Sequence, residues 1–220
     1  MNGVPPRWVP ETLSGPRFAR YLQAAEGDTD LAIRLYQWNL DASSAFYHLL
    51  HWIEVSWRNA MDRQLRHRFA RADWWSTAQL DPNGADKVRR AQGQLDRRKP
   101  GGTADDLMTE FTFGFWVSLL SRGRAYDRTL WVPGLHRAFP NYSGPRAPLH
   151  REVYPVLHFR NRIMHYEPIV DLDLEWYREQ IYRLLGYVSA DVVKLVRELD
   201  RIPEVLDRRP LPRCRGGEQA

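Results

Sequence analysis

Residues 41–69 read DASSAFYHLLHWIEVSWRNAMDRQLRHRF. No proline or glycine interrupts them. Phe46, Leu49, Leu50, Ile53, Trp57, Ala60, Met61 and Leu65 recur at intervals of three and four. That spacing lays one apolar stripe along a long amphipathic helix, the expected spine of the domain. Within it Glu54 and Arg58 stand four apart in the order that favours pairing along a helix.

The flanking sequence continues in the same period. On the N-terminal side, Ser14 is positioned to cap a helix over 16–26 that ends at Gly27. Asp28 or Thr29 opens the next, with Leu31, Leu35 and Trp38 on one face. On the C-terminal side, 73–82 holds Trp74 and Trp75, and a polar helix is expected over 85–98. The run 105–121 is apolar nearly all round and reads as one buried helix. A short helix is expected near Tyr126, Leu130 and Trp131, and a single turn over 135–139. Three more helices follow. The first runs over 149–165 and is kinked or restarted at Pro155. The second runs over 174–188 and is capped by Asp171 or Asp173. The third runs over 190–206. No stretch alternates long enough for a strand, so the fold class is an all-α helical bundle. We divide the chain into an extended arm at 1–10, one helical domain at 11–207, and a basic, disordered tail at 208–220. The section 70–105 is the least core-like and reads as an insertion or a flap.

Composition narrows the function. The 220 residues include 32 Lys+Arg against 27 Asp+Glu, a net charge of +5, which permits a nucleic-acid partner without requiring one. Arginine outnumbers lysine, which occurs only as Lys87, Lys99 and Lys194; the bias suits bidentate phosphate contact, and a GC-rich genome would give it too. The single cysteine, Cys214, excludes a disulfide framework within one chain and points to the cytoplasm. No apolar run approaches the roughly 20 residues of a membrane span. His48, His51 and Glu54 have a loose metal-like spacing, but successive steps of three drift around a helix and no fourth ligand is evident. No metal or other cofactor is expected.

Chemistry concentrates in FRNRIMHYEP, residues 159–168. His158, Asn161, Arg162 and His165 make one polar stripe. Arg160 falls among Val156, Leu157, Ile163 and Met164. A cation there needs an anion, either Glu54 of the spine or an RNA phosphate. His165, at the end of the helix before Pro168, belongs to the one side-chain type that exchanges protons near neutrality without perturbation. Arginines to hold a phosphate beside such a group are the parts for cleaving RNA without metal. Arg58 and Asn59 are expected to make polar contacts between helices. Trp74 and Trp75 are expected in packing rather than stacked on bases, and Arg89-Arg90 and Arg97-Arg98 fit a solvated face or an RNA backbone equally.

The string RNRIMH resembles the R-x4-6-H motif of the HEPN superfamily, and its extension through Glu167-Pro168-Ile169 resembles the Abi-like (abortive infection, Abi-D/F type) branch. The segments 35–39 (LYQWN), 54–60 (EVSWRNA) and 111–116 (FTFGFW) are similar to that branch in the same order, so the likeness spans about 12–200. It implies an all-α HEPN bundle, a homodimer joining two motifs, and metal-independent endoribonuclease activity in phage defence or as a toxin, with RNA as substrate and an antitoxin or regulator as partner. It implies Arg160 and His165 as the active pair with Asn161 as the following polar residue; Tyr166 stands where the family often has a second histidine. The alternative is a non-catalytic RNA-binding or interaction module in which Arg160 is locked in a structural ion pair.

Overall fold

The computed structural model describes residues 5–211, and these contain helices and turns but no strand. The expected tail beyond 211, with Cys214, and the first four residues of the expected arm lie outside the described residues. The spine is α3 (Thr29–Phe69), 41 residues long and therefore about 60 Å from end to end. Asp28 caps it by accepting the Leu31 N–H at 2.9 Å. The sequence reading placed two successive helices here. One forms instead, because nothing between Leu31 and Leu65 breaks the helix and the inner face is continuous: Leu35, Trp38, Ala42, Phe46, Ile53 and Trp57 are all buried.

Around this spine pack α1 (Trp8–Leu13), α2 (Gly15–Ala24), α4 (Pro82–Arg98), α5 (Ala104–Glu110), α6 (Phe113–Ser118), α7 (Arg146–Met164), α8 (Leu174–Val188), α9 (Ala190–Glu198) and α10 (Ile202–Asp207). The most extensive packing is of α8 on α3, and α7 lies between α6 and α8. Trp57 sits at the centre, fully buried, its indole N–H donating to the Leu184 carbonyl at 3.0 Å and its ring edge-on to Phe139 at 4.7 Å.

Five expectations change. The arm is not extended throughout, because α1 begins inside it and buries Val9. Ser14 precedes α2 but makes no side-chain cap, its backbone being in a positive-φ conformation (φ 60°). The run 105–121 is two short helices. Extended backbone at Phe111 ends α5, and its ring lies stacked on Phe115 (4.2 Å) and edge-on to Trp75 (5.1 Å). The run 190–206 is also two helices, because Asp200 turns inward to Arg178 (2.6 Å) and the Tyr182 hydroxyl (2.8 Å) and accepts the Ile202 N–H (2.9 Å). Glu54 does not pair with Arg58; it reaches a different helix, described below.

The section 70–105 is tied to the core more firmly than its composition implied. Trp74 is fully buried, and its N–H donates to Asp62 of the spine at 2.9 Å. Arg66 bonds the same carboxylate at 2.6 Å and Asp105 at 2.7 Å, joining both ends of the section to α3. Leu95 of α4 is buried as well. The Trp74 and Trp75 rings are 5.5 Å apart edge to face inside this packing, not displayed to solvent. Arg89 and Arg90 both pair with Asp86 at 2.7 Å, and Arg98 with Glu110.

Thr103 and Asp106 form a capping box at the start of α5. Lys99, at 2.8 Å, together with the Thr103 N–H and hydroxyl, holds the Asp106 carboxyl down to about 2. A carboxyl lowered on folding stabilises the protein above its unfolded value of about 3.9 and loses that contribution as pH falls toward the folded one. Carboxyl-carbon NMR should therefore give Asp106 a midpoint near 2, and Lys99→Ala should raise it; an unperturbed midpoint would show that the box does not form.

Candidate active site

Helix α7 carries FRNRIMH across the middle of the spine. Its first turn is set by buried Arg146, which donates to the Leu120 carbonyl and pairs with Asp127 at 3.6 Å. It therefore begins a turn earlier than expected. Pro155 lies inside the helix, where it denies the Arg151 carbonyl its usual N–H partner without ending the helix. Val153, Val156, Phe159 and Ile163 face the core, Phe159 edge-on to Phe46 at 4.8 Å and stacked on Tyr177 at 4.2 Å.

Arg160 points from this side toward α3. Its Nε donates to Glu54 Oε2 at 3.1 Å and its Nη2 to Oε1 at 3.4 Å; the two side chains are 23% and 21% exposed. The Phe113 N–H at the start of α6 donates to the same Oε1 at 3.1 Å. One carboxylate thus joins three helices, and of the two partners foreseen for Arg160 the structure contains the protein one. Nη1 takes no part in the pair. Near the same turn of α6, Lys87 of α4 donates to the Gly114 carbonyl at 2.9 Å, and burial pushes its ammonium below the ordinary value.

The helix ends with two backbone bonds, Tyr166 N–H to the Ile163 carbonyl (3.0 Å) and Glu167 N–H to the Arg162 carbonyl (2.8 Å), around Tyr166 at φ 57°. This is a Schellman end in which tyrosine occupies the left-handed position that glycine usually takes. A side chain there costs roughly 1 kcal/mol, and the Tyr166 ring is left 79% exposed. Arg162 folds over this turn. It donates to the Pro168 carbonyl and to Asp171 at 3.2 Å, with Glu167 at 3.9 Å. Asn39 of the spine accepts the Ile169 N–H at 2.7 Å and holds the following residues down.

His165 caps α7 and is exposed, its N–H bonded to the Asn161 carbonyl at 2.9 Å. Five residues on a helix turn through about 500°, so Arg160 and His165 leave the axis about 140° apart. Arg160 goes inward and His165 outward: one chain does not bring the two together. What shares the His165 face is Asn161, half-buried, and exposed His158, whose ring is edge-on to Tyr154 at 4.4 Å. His150 and Tyr154 continue the stripe at 5.7 Å. Burial, with the Arg146 charge, lowers the His150 imidazole from its ordinary value. Arg58 and Asn59 bond each other at 3.3 Å on the spine and do not cross to another helix.

Among the described residues no group of three or more His, Cys, Asp or Glu is placed to hold a metal ion. Glu54 has turned away from His48 and His51 to Arg160. No described helix is long and apolar enough to cross a membrane. The residues alone do not reveal the Phe113 N–H or the Tyr154 ring, and Asp171, a candidate cap of α8, instead meets Arg162 while Asp173 caps; the Phe113 N–H is a backbone group exposed only by the break before α6 and leaves no trace in residue type. Comparison with protein-family models, with curated proteins and with solved structures finds no match for this chain.

Proposed function

We propose that the protein is a metal-independent endoribonuclease of HEPN type, working as a homodimer in the cytoplasm, with abortive infection or toxicity as its role. The observation that carries this reading is His165: an exposed imidazole at a helix end, flanked by Asn161 and His158, with Arg160 and Arg162 on the turns before it. His165 takes the proton from a ribose 2′-hydroxyl or returns one to the leaving 5′-oxygen, and the symmetry-related His165 takes the other part. The 2′-oxygen attacks its own phosphorus, the P–O5′ bond breaks, and the products are a 2′,3′-cyclic phosphate and a 5′-hydroxyl. Because the arginines of one subunit are engaged with carboxylates and carbonyls, phosphate contact requires the dimer to present Arg160 Nη1 or to release Arg162 from its turn.

The Arg160–Glu54 pair favours a second reading, an RNA-binding or protein-interaction module in which Arg160 is purely structural. One experiment separates them. Purified protein is incubated with RNA, and with DNA of the same sequence, in EDTA. The ribonuclease reading expects cleavage of RNA only, with cyclic-phosphate ends, and a loss of about 10²–10⁴-fold in His165→Ala. RNA retained on a filter but left intact supports the module; cleavage that needs added metal or survives in His165→Ala defeats the ribonuclease mechanism.

A further inference from the structure

A large cavity whose lining includes no residue of α7 lies along the spine. It measures about 810 Å³ and opens to solvent between α3, α8, α9 and α10, with Gln37, Asp41, Arg201 and Arg208 exposed. That volume is within the range of sites that bury an organic ligand, roughly 300–1,000 Å³. Nothing in the proposed ribonuclease chemistry uses it.

Its lining divides by chemistry. The apolar part comes from Trp38, Leu49, Val196, Leu199 and Val205. Trp38 is fixed there by its indole N–H, which donates to the Val205 carbonyl at 2.7 Å, and by the Arg209 guanidinium 5.2 Å over its ring. Along one line of α3 stand Gln37, Asp41 and Ser44, at helical spacings of four and three, offering donors and acceptors on successive turns.

Three arginines complete the lining: Arg34 from α3, and Arg201 and Arg208 from the two ends of α10. None of them has a hydrogen bond or ion pair to a carboxylate among the described residues. Asp28, whose carboxyl is lowered first by the Leu31 N–H, feels Arg34 only as a smaller, more distant charge. Of the two carboxylates in the cavity, Asp200 is spent on Arg178, the Tyr182 hydroxyl and the Ile202 N–H. Asp41 alone remains against three guanidiniums. Other arginines are paired, as in Arg89 and Arg90 with Asp86, or Arg178 with Asp200 and Glu179, and others such as Arg63, Arg97 and Arg151 are not; what sets Arg34, Arg201 and Arg208 apart is that all three line one cavity.

We propose that this cavity binds a free nucleoside polyphosphate, with the base on the apolar wall, Gln37 and Asp41 hydrogen-bonding the base or ribose, and Arg34, Arg201 and Arg208 on the phosphates. An inorganic anion would leave most of the volume and the whole apolar wall unused. A fatty acid would bury the polar line of α3 unsatisfied. Guanidinium forks suit phosphate oxygens, and one carboxylate among three cations suits a ligand that is anionic at one end and donates hydrogen bonds at the other. The site is independent of the ribonuclease reading and stands or falls separately.

The test is calorimetric titration of the full chain in EDTA with ATP and GTP, with adenosine, guanosine and pyrophosphate as controls. Saturable binding of a nucleoside triphosphate is expected, weaker by about tenfold or more when either the phosphates or the base is missing. Arg34→Ala and Arg201→Ala should each weaken it by about tenfold, and His165→Ala should leave it unchanged. Photocrosslinking with an azido-nucleotide should label peptides within 34–48 and 196–210, a readout that holds if a variant is poorly folded. The proposal is overturned by no saturable binding at millimolar nucleotide, by pyrophosphate binding as tightly as the triphosphates, by binding of oligonucleotides alone, or by labelling elsewhere.

Discussion

Trp74→Ala should destabilise the protein by about 4–5 kcal/mol in urea titrations, enough to leave a large unfolded fraction if total stability is about 5–15 kcal/mol. The indole is wholly buried against Trp75, Phe115 and Trp116, with ring centroids 5.5–6.1 Å away. Truncation opens a cavity that these rings cannot close without leaving their positions. It also removes the N–H that satisfies Asp62 Oδ1 at 2.9 Å, leaving a carboxylate oxygen in a buried position with only the Arg66 bond on its partner oxygen. Trp74→Phe keeps most of the packing and should lose about 1–2 kcal/mol. A Trp74→Ala protein within about 1 kcal/mol of wild type would mean that the 70–105 section is not docked on the spine.

Glu54→Ala should cost about 2–3 kcal/mol, and Arg160→Met less. A buried pair broken from one side typically loses about 3–5 kcal/mol; we take the lower figure because both side chains are about one-fifth exposed to solvent. Removal of Glu54 is the worse change because it also unpairs the Phe113 N–H. The double variant should lose about 1–2 kcal/mol less than the sum of the two. Additivity would show that the pair does not couple α7 to α3. The same variants bear on function: if Arg160→Met abolishes RNA cleavage at a temperature where it remains folded, Arg160 does more than hold a helix.

What was legible in the residues was local. The apolar stripe of 41–69, the proline after His165 and caps at Asp28 or Thr29 and at Asp171 or Asp173, of which Asp28 and Asp173 form, all follow from rules that operate within a few residues. The C-terminal part of the spine, the end of α7 and the bounds of α8 agree with the sequence; the joining of 29–40 to the spine in one helix does not. Breaks caused by distant partners were not legible. The helix breaks at Phe111, whose ring meets Trp75 from far along the chain, and at Asp200, whose partners Arg178 and Tyr182 lie on another helix. Trp74 is packed as its sequence suggests, but Leu95 stands in a polar helix, and the burial of both depends on elements distant in the chain.

By itself the chain order determined that the protein is helical, that one helix would dominate, and that its reactive side chains would collect at 158–166. Periodicity and capping are short-range effects, and each residue carries its share of them. Only the tertiary structure decided which way the cations turn: Arg160 into Glu54, Arg162 onto its own turn, His165 into solvent. It also left Arg34, Arg201 and Arg208 facing one cavity. A charge is settled by whatever opposite charge lies nearest in space, and for these side chains that depends on helices packed from distant parts of the chain.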